Sequence, residues 1–169
     1  MNPEIWGLVG TLTGAILVTA SSVITTLIST KSSTKNQITL EKLKREELFR
    51  DFQRKNFLEI QDILSKIYRY ITVLHIEDLK NYKITKEWQK GMLNDETNDN
   101  LLISNRNLCI LSERVQNDNL RNQLKQIRTK MNSVSKTVSP SESNDKMFQL
   151  VADFDKIMND LGVELRKNY

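Results

Sequence analysis

The sequence predicts an all-α protein: one N-terminal transmembrane helix, then a three-helix antiparallel bundle or a coiled-coil-like hairpin plus a C-terminal helix. Three observations carry this. No charged residue occurs between Glu4 and Lys31. A helix over 5–28 is about 36 Å long at roughly 1.5 Å per residue, against a hydrocarbon core of about 30 Å. After Lys31, apolar residues recur at alternating steps of three and four, the period of a helix with one buried face. Glycine and proline number only 5 and 2 in 169 residues, whereas a sheet-rich fold needs frequent turn residues.

Residues 1–30 read as the anchor. A cleaved signal peptide needs a basic leader and an apolar core of about 7–15 residues. Here the leader is Met1-Asn2-Pro3-Glu4, with an acid and no base, and the apolar run is longer. A buried core helix seldom stays uncharged for this length. Lys31, Lys35, Lys42, Lys44 and Arg45 follow the run, against Glu41. The positive-inside rule then predicts a single-pass protein of the cell (inner) membrane, N-terminus outside and C-terminal part cytoplasmic. The same five cations are placed to touch anionic lipid head groups, and Trp6 sits where an interfacial aromatic anchors a span.

The span is rich in small residues. Gly10 and Gly14 make a GxxxG, and Gly7, Thr11, Ala15 and Thr19 form a second run four apart. Lipid offers no hydrophobic drive between helices, so spans associate through close packing and interhelical hydrogen bonds, both favoured by small residues. Gly7, Gly10, Thr11, Gly14 and Ala15 are the expected packing face, which predicts a homo-oligomer or a partner protein in addition to the lipid bilayer.

Residues 31–38 form a polar, basic juxtamembrane segment. Neither glycine nor proline occurs between Gly14 and Gly91. The span either runs straight into the next helix or breaks at Ser32-Ser33-Thr34, with Thr34 or Asn36 as N-cap. The cytoplasmic part, 39–169, is expected to hold helices over about 39–82, 99–134 and 140–167. The first has Leu40, Leu43, Leu48, Phe49 and Phe52 in a charged setting. Its seam then sharpens to Phe57, Ile60, Leu64, Ile67, Ile71 and Leu74. The polar run Asn94–Asn100 and Gly91 mark a turn, with Trp88 packed across the hairpin end or open to a partner. The second helix carries Leu101, Leu108, Leu111 and Val115, then Leu120, Leu124, Ile127, Met131 and Val134. The step of five after Val115 implies a stutter-like shift, a bend or a break. Ser139 before Pro140 is an N-cap with proline at N1. The last helix has Met147, Val151, Phe154, Met158, Leu161 and Leu165 as its seam. Short connections favour antiparallel neighbours.

No catalytic constellation stands out, and the chain reads as a non-enzyme with no cofactor and no metal. His75 is the sole histidine; with Glu77 and Asp78 it makes a thin metal set, and it reads as a structural or surface residue. There is no GxxxxGK[ST], GxGxxG or CxxC. Cys109, the sole cysteine, forms no intrachain disulfide and reads as a small core residue. Asp153, Asp155 and Asp160 read as a solvated face. The net charge of +4 is spread among acids. Arg121, Lys125, Arg128 and Lys130 make only a mild basic patch, so no nucleic acid is expected.

The opening, Trp6, Gly7, Gly10 and Gly14 followed by charge from Lys31, resembles a broad class of short bacterial single-pass membrane proteins with a cytoplasmic helical tail. Some proteins of this build are similar to membrane effectors of phage-defence or toxin systems. The residues themselves predict a membrane-anchored interaction or scaffold protein that oligomerises or docks a partner, with Leu43, Phe49, Phe52 and Trp88 as contact candidates. The alternative is a membrane-permeabilising effector whose Thr/Ser-rich spans cluster into a pore.

Overall fold

The computed structural model describes residues 3–89, 91 and 93–169, with side chains from Gly7 onward. Among these residues it is all-helical: α1 (Pro3–Thr85), α2 (Asp95–Glu113), α3 (Asp118–Val134) and α4 (Pro140–Lys167). The chain divides into two compact units, Met1–Leu48 and Phe49–Tyr169.

Helix α1 runs for 83 residues with no interruption at Ser32–Thr34. Neither Thr34 nor Asn36 opens a new helix. The cause is local: no glycine or proline interrupts residues 15–85, and residues 40–55 are mostly Leu, Glu, Lys and Arg, all strong helix formers. Thr39 donates its hydroxyl to the Lys35 carbonyl at 2.9 Å within the same ladder. The first unit consists of this helix alone. It contains a stretch long and apolar enough to cross a membrane, none of it buried within the chain.

The second unit is built around one core. Phe57, Ile60, Leu64, Ile67 and Ile71 of α1 meet Leu108 and Leu111 of α2. Leu120, Leu124, Ile127, Met131 and Val134 of α3 join them, with Met147, Leu150, Ile157 and Leu161 of α4. Contacts along the unit define the chain direction. Near the start of this part of α1, Asn56 Nδ2 donates to Leu111 O at the end of α2, at 3.2 Å. At mid-height Tyr68 stacks on Phe154 with centroids 4.4 Å apart. Farther along, His75 meets Ser143 in the first turns of α4. Asn117, which caps α3, donates to Glu164 near the end of α4 at 3.1 Å.

Two sequence expectations change here. The single helix expected over 99–134 is two, α2 and α3. Asn117 has an extended backbone, and its side chain accepts from Leu120 N at 3.2 Å, so a new helix is nucleated where the apolar step lengthens to five. The unit thus contains four helical segments rather than three. Helix α2 also begins earlier than expected, because the polar run is its first turn. Asn94 accepts from Thr97 N at 2.7 Å, and Asp95 and Glu96 sit at the positive end of the helix dipole.

The seam of α4 is also rotated. Val151 is 43% exposed, whereas Leu150 and Ile157 are 1% and 3% exposed. Phe154, Met158 and Leu165 pack at the core's margin. The stripe on α4 is wide enough for two registers, and the Tyr68–Phe154 stack sets Phe154 to the flank. Ser139 caps the helix, accepting from Glu142 N at 3.2 Å, while Glu142 Oε2 accepts from Val138 N at 2.9 Å. Pro140 occupies the first turn, where a missing N–H costs nothing.

Candidate functional surfaces

The expected packing face of the span is open within a single chain. A Cβ added at Gly7, Gly10 or Gly14 meets nothing within 4 Å. Thr11 and Ala15 beside them are exposed. Six hydroxyls of this segment turn inward on their own helix. Thr13 donates to Val9 O at 2.7 Å, Thr19 to Ala15 O at 2.7 Å and Ser21 to Leu17 O at 2.8 Å. Thr25 and Thr26 bond Ser21 O and Ser22 O, each at 2.8 Å. Thr11 reaches both Leu8 O and Gly7 O. A hydroxyl proton satisfied in this way needs neither water nor a second chain, so these residues can enter an apolar medium without an unmet donor.

Of the basic segment, Lys31, Lys35, Lys42, Lys44 and Arg45 are all exposed. Lys42 and Arg45 lie 3.9 Å from Glu46 and Glu41, pairs too loose and exposed to matter for stability. Lys31, Lys35 and Lys44 have no ion pair among the described residues. Exposed ammonium groups are free to meet an anionic surface. The side chain of Trp6, the expected interfacial anchor, lies outside the described residues.

The far end of the second unit holds buried polar groups that sequence reasoning missed as a group. His75, Asp78, Thr137 and Ser143 are all buried. His75 Nδ1 lies 2.8 Å from Ser143 Oγ. Burial pushes the imidazole below the usual histidine range, opposed by a hydrogen bond with Asn144 and by the Asp78 carboxylate. Asp78 Oδ1 accepts from the Gly91 N–H at 2.7 Å. The loop bearing Gly91 is strapped down by Trp88, whose Nε1 donates to Thr137 O at 2.8 Å and whose ring meets Tyr82 edge-on. Gln89 donates to the same carbonyl. Lys86 and Gln89 both adopt φ of 62°, the left-handed region uncommon for such side chains.

Trp88 thus packs across the helix end, the first of its two expected fates. Gly91 is required by close approach: a Cβ there would lie 2.7 Å from Asp78 Oδ1 and 2.8 Å from Asp78 N. The periodicity of α1 does carry a trace of this cluster, since the buried face continues past Ile71 through His75 and Asp78. Nothing in the local sequence points to Ser143 as their neighbour.

The remaining candidates are dispersed. Cys109 is exposed, contrary to its expected place in the core, because the buried face of α2 runs through Ser104, Leu108, Leu111 and Ser112 and leaves 109 outside. Asp153 pairs with Lys130 at 2.5 Å. Leu43, Phe49 and Phe52 are exposed on α1. No cluster of three or more His, Cys, Asp or Glu side chains suited to a metal occurs among the described residues. The His75–Ser143 contact has the atom types of a hydrolase pair, with both side chains buried. No protein family, curated protein or solved structure matches this chain. The surfaces with chemical reach are therefore an uncovered apolar helix with a small-residue face and a run of exposed cations.

Proposed function

We propose that this is a single-pass, membrane-anchored helical interaction protein that works without catalysis. The N-terminal part of α1 crosses the cell membrane, N-terminus outside. Lys31, Lys35, Lys42, Lys44 and Arg45 lie against the cytoplasmic leaflet, and the antiparallel bundle of the second unit faces the cytoplasm. The spans associate through Gly7, Gly10, Thr11, Gly14 and Ala15, bringing bundles or their partners together at the membrane. The observation that carries this reading is the uncovered apolar stretch of α1, six of whose hydroxyls are bonded to its own backbone. Water is a poor solvent for that surface and lipid a good one.

Two measurements test it. The full chain is expected in the membrane fraction, released by detergent and not by alkaline carbonate; recovery in the soluble fraction would remove the anchor. Crosslinking in membranes should give oligomers that Gly14→Leu weakens, because a bulky side chain holds the helix backbones apart. Oligomers unchanged by Gly14→Leu would reject the packing face. The permeabilising alternative draws on the density of Thr and Ser in the span. Rapid loss of membrane potential on expression, dependent on Gly10 and Gly14, would replace the scaffold reading with that one.

A further inference from the structure

Helix α3 and the turn after it carry five cations: Arg121, Lys125, Arg128, Lys130 and Lys136. Three are matched inside the chain. Arg121 donates to Val115 O at 2.7 and 3.1 Å and pairs with Asp118 at 2.9 Å. Lys125 pairs with Glu113 at 2.8 Å, and Lys130 with Asp153. Arg128 and Lys136 have no ion pair among the described residues. These two unmatched cations line one cleft, together with Asn105, Thr129, Asn132 and Ser133.

No carboxylate lines the cleft. Glu113, whose carboxyl also feels the Arg128 charge, is held by Lys125. Arg128 and Asn132 are four apart on α3 and so share one face of it, and Lys136 lines the same cleft from the turn that follows. The Thr129 and Ser133 hydroxyls donate to Lys125 O and Lys130 O, which leaves the guanidinium, the ammonium and the Asn132 amide as donors toward a ligand. The cleft measures about 330 Å³ and is open to solvent, so a small polar group fits with its hydration.

We infer that the α2–α3 cleft binds a phosphate group, with Arg128 and Lys136 as its two cationic ligands. A guanidinium presents a planar fork of donors matched to two phosphate oxygens, and the ammonium supplies a second point charge. The phosphate belongs either to a soluble phosphate ester or to a lipid head group. The site does not rest on the membrane reading.

The test uses the full chain in an uncharged detergent, titrated calorimetrically with glycerol 3-phosphate. A parallel arm reconstitutes it in nanodiscs of phosphatidylcholine with and without phosphatidylglycerol and measures the lipid retained on re-extraction. Arg128→Gln/Lys136→Gln should weaken ester binding or glycerolipid retention about tenfold or more. Arg128→Lys, which keeps the charge and loses the fork, should weaken it several-fold. Lys130→Gln removes one cation from the same helix on the α4 side and should leave binding unchanged. Binding of the soluble ester identifies a free ligand; retention of phosphatidylglycerol alone identifies the head group. Two results overturn the inference: no binding in either arm, or an equal loss in Lys130→Gln, which would mean that bulk charge alone attracts the anion. Helical circular dichroism of each variant separates lost binding from lost folding.

Discussion

Leu40 and Leu64 are the same residue in the same helix, yet one is 64% exposed and the other fully buried. Their contrast is that of the two units. From Phe49 onward, α1 is held by a core that three other helical segments complete. Over Met1–Leu48 its described residues are exposed apart from a half-buried Gly14. Most helical stability in proteins comes from burying an apolar face, not from propensity. The first unit has such residues, and within the unit, a single helix, they stay exposed. Under the proposed function, lipid or a second span supplies the burial that this helix lacks by itself.

Substitutions sharpen this contrast. The largest effect is expected from Leu64→Ala, which empties a filled core position and should destabilise the second unit by about 2–5 kcal/mol, read by chemical denaturation of the full chain in detergent. Gly91→Ala comes next. Its methyl must displace Asp78 or the loop backbone, at a cost of about 1–3 kcal/mol; emission of Trp88 against that of Trp6 alone in a Trp88→Phe background reports whether the loop has lifted.

Acid gives a smaller, graded effect. The folded-state pKa of His75 is depressed by burial, below an unfolded value of about 6.5. The unfolded chain then takes up the proton more readily. The His75 contribution is complete above that value and declines as pH falls through the unfolded pKa toward the folded one. One proton limits the slope to about 1.4 kcal/mol per pH unit. Denaturation midpoints between pH 7.5 and 5.5 should fall, and His75→Gln should flatten that part of the profile. The smallest effect belongs to Leu40→Ser, within about 0.5 kcal/mol on the same assay. A loss comparable to that of Leu64→Ala would mean that Leu40 is covered in the folded protein and would break the distinction between the two units.

What the sequence makes legible follows from periodicity. The seam over Phe57, Ile60, Leu64, Ile67 and Ile71 and that over Leu120, Leu124, Ile127, Met131 and Val134 are both buried, since one regular stripe permits one orientation. Helix α4 offers apolar residues at 147, 150, 151, 154, 157, 158 and 161, and a stripe that wide leaves the facing residue to be chosen by neighbours. The break between α2 and α3 shows in the step of five, but its kind depends on Asn117 and on Gln53 far upstream. The buried polar end is hidden for the same reason. His75, Gly91, Thr137 and Ser143 come from separate stretches of sequence, and only the fold assembles them. The unmatched state of Arg128 was likewise invisible, because Arg121, Lys125 and Lys130 share its pattern and differ only in having partners.

Gln53 has a further consequence, for folding order. Its side chain is buried, with Nε2 donating to Arg114 O at 2.9 Å and Oε1 accepting from Gln116 N at 3.3 Å, across 61 and 63 residues. The turn between α2 and α3 is thus bridged by an amide from another helix. Local contacts also close that turn, among them Arg114 N to Leu111 O at 3.0 Å and Arg121 to Val115 O at 2.7 Å, and Gln53 adds a tie to α1. Long-range contacts of this kind slow a helical protein relative to one whose hairpins close independently. Gln53→Ala should accordingly lower the folding rate as well as stability, if the bridge is already formed at the rate-limiting step.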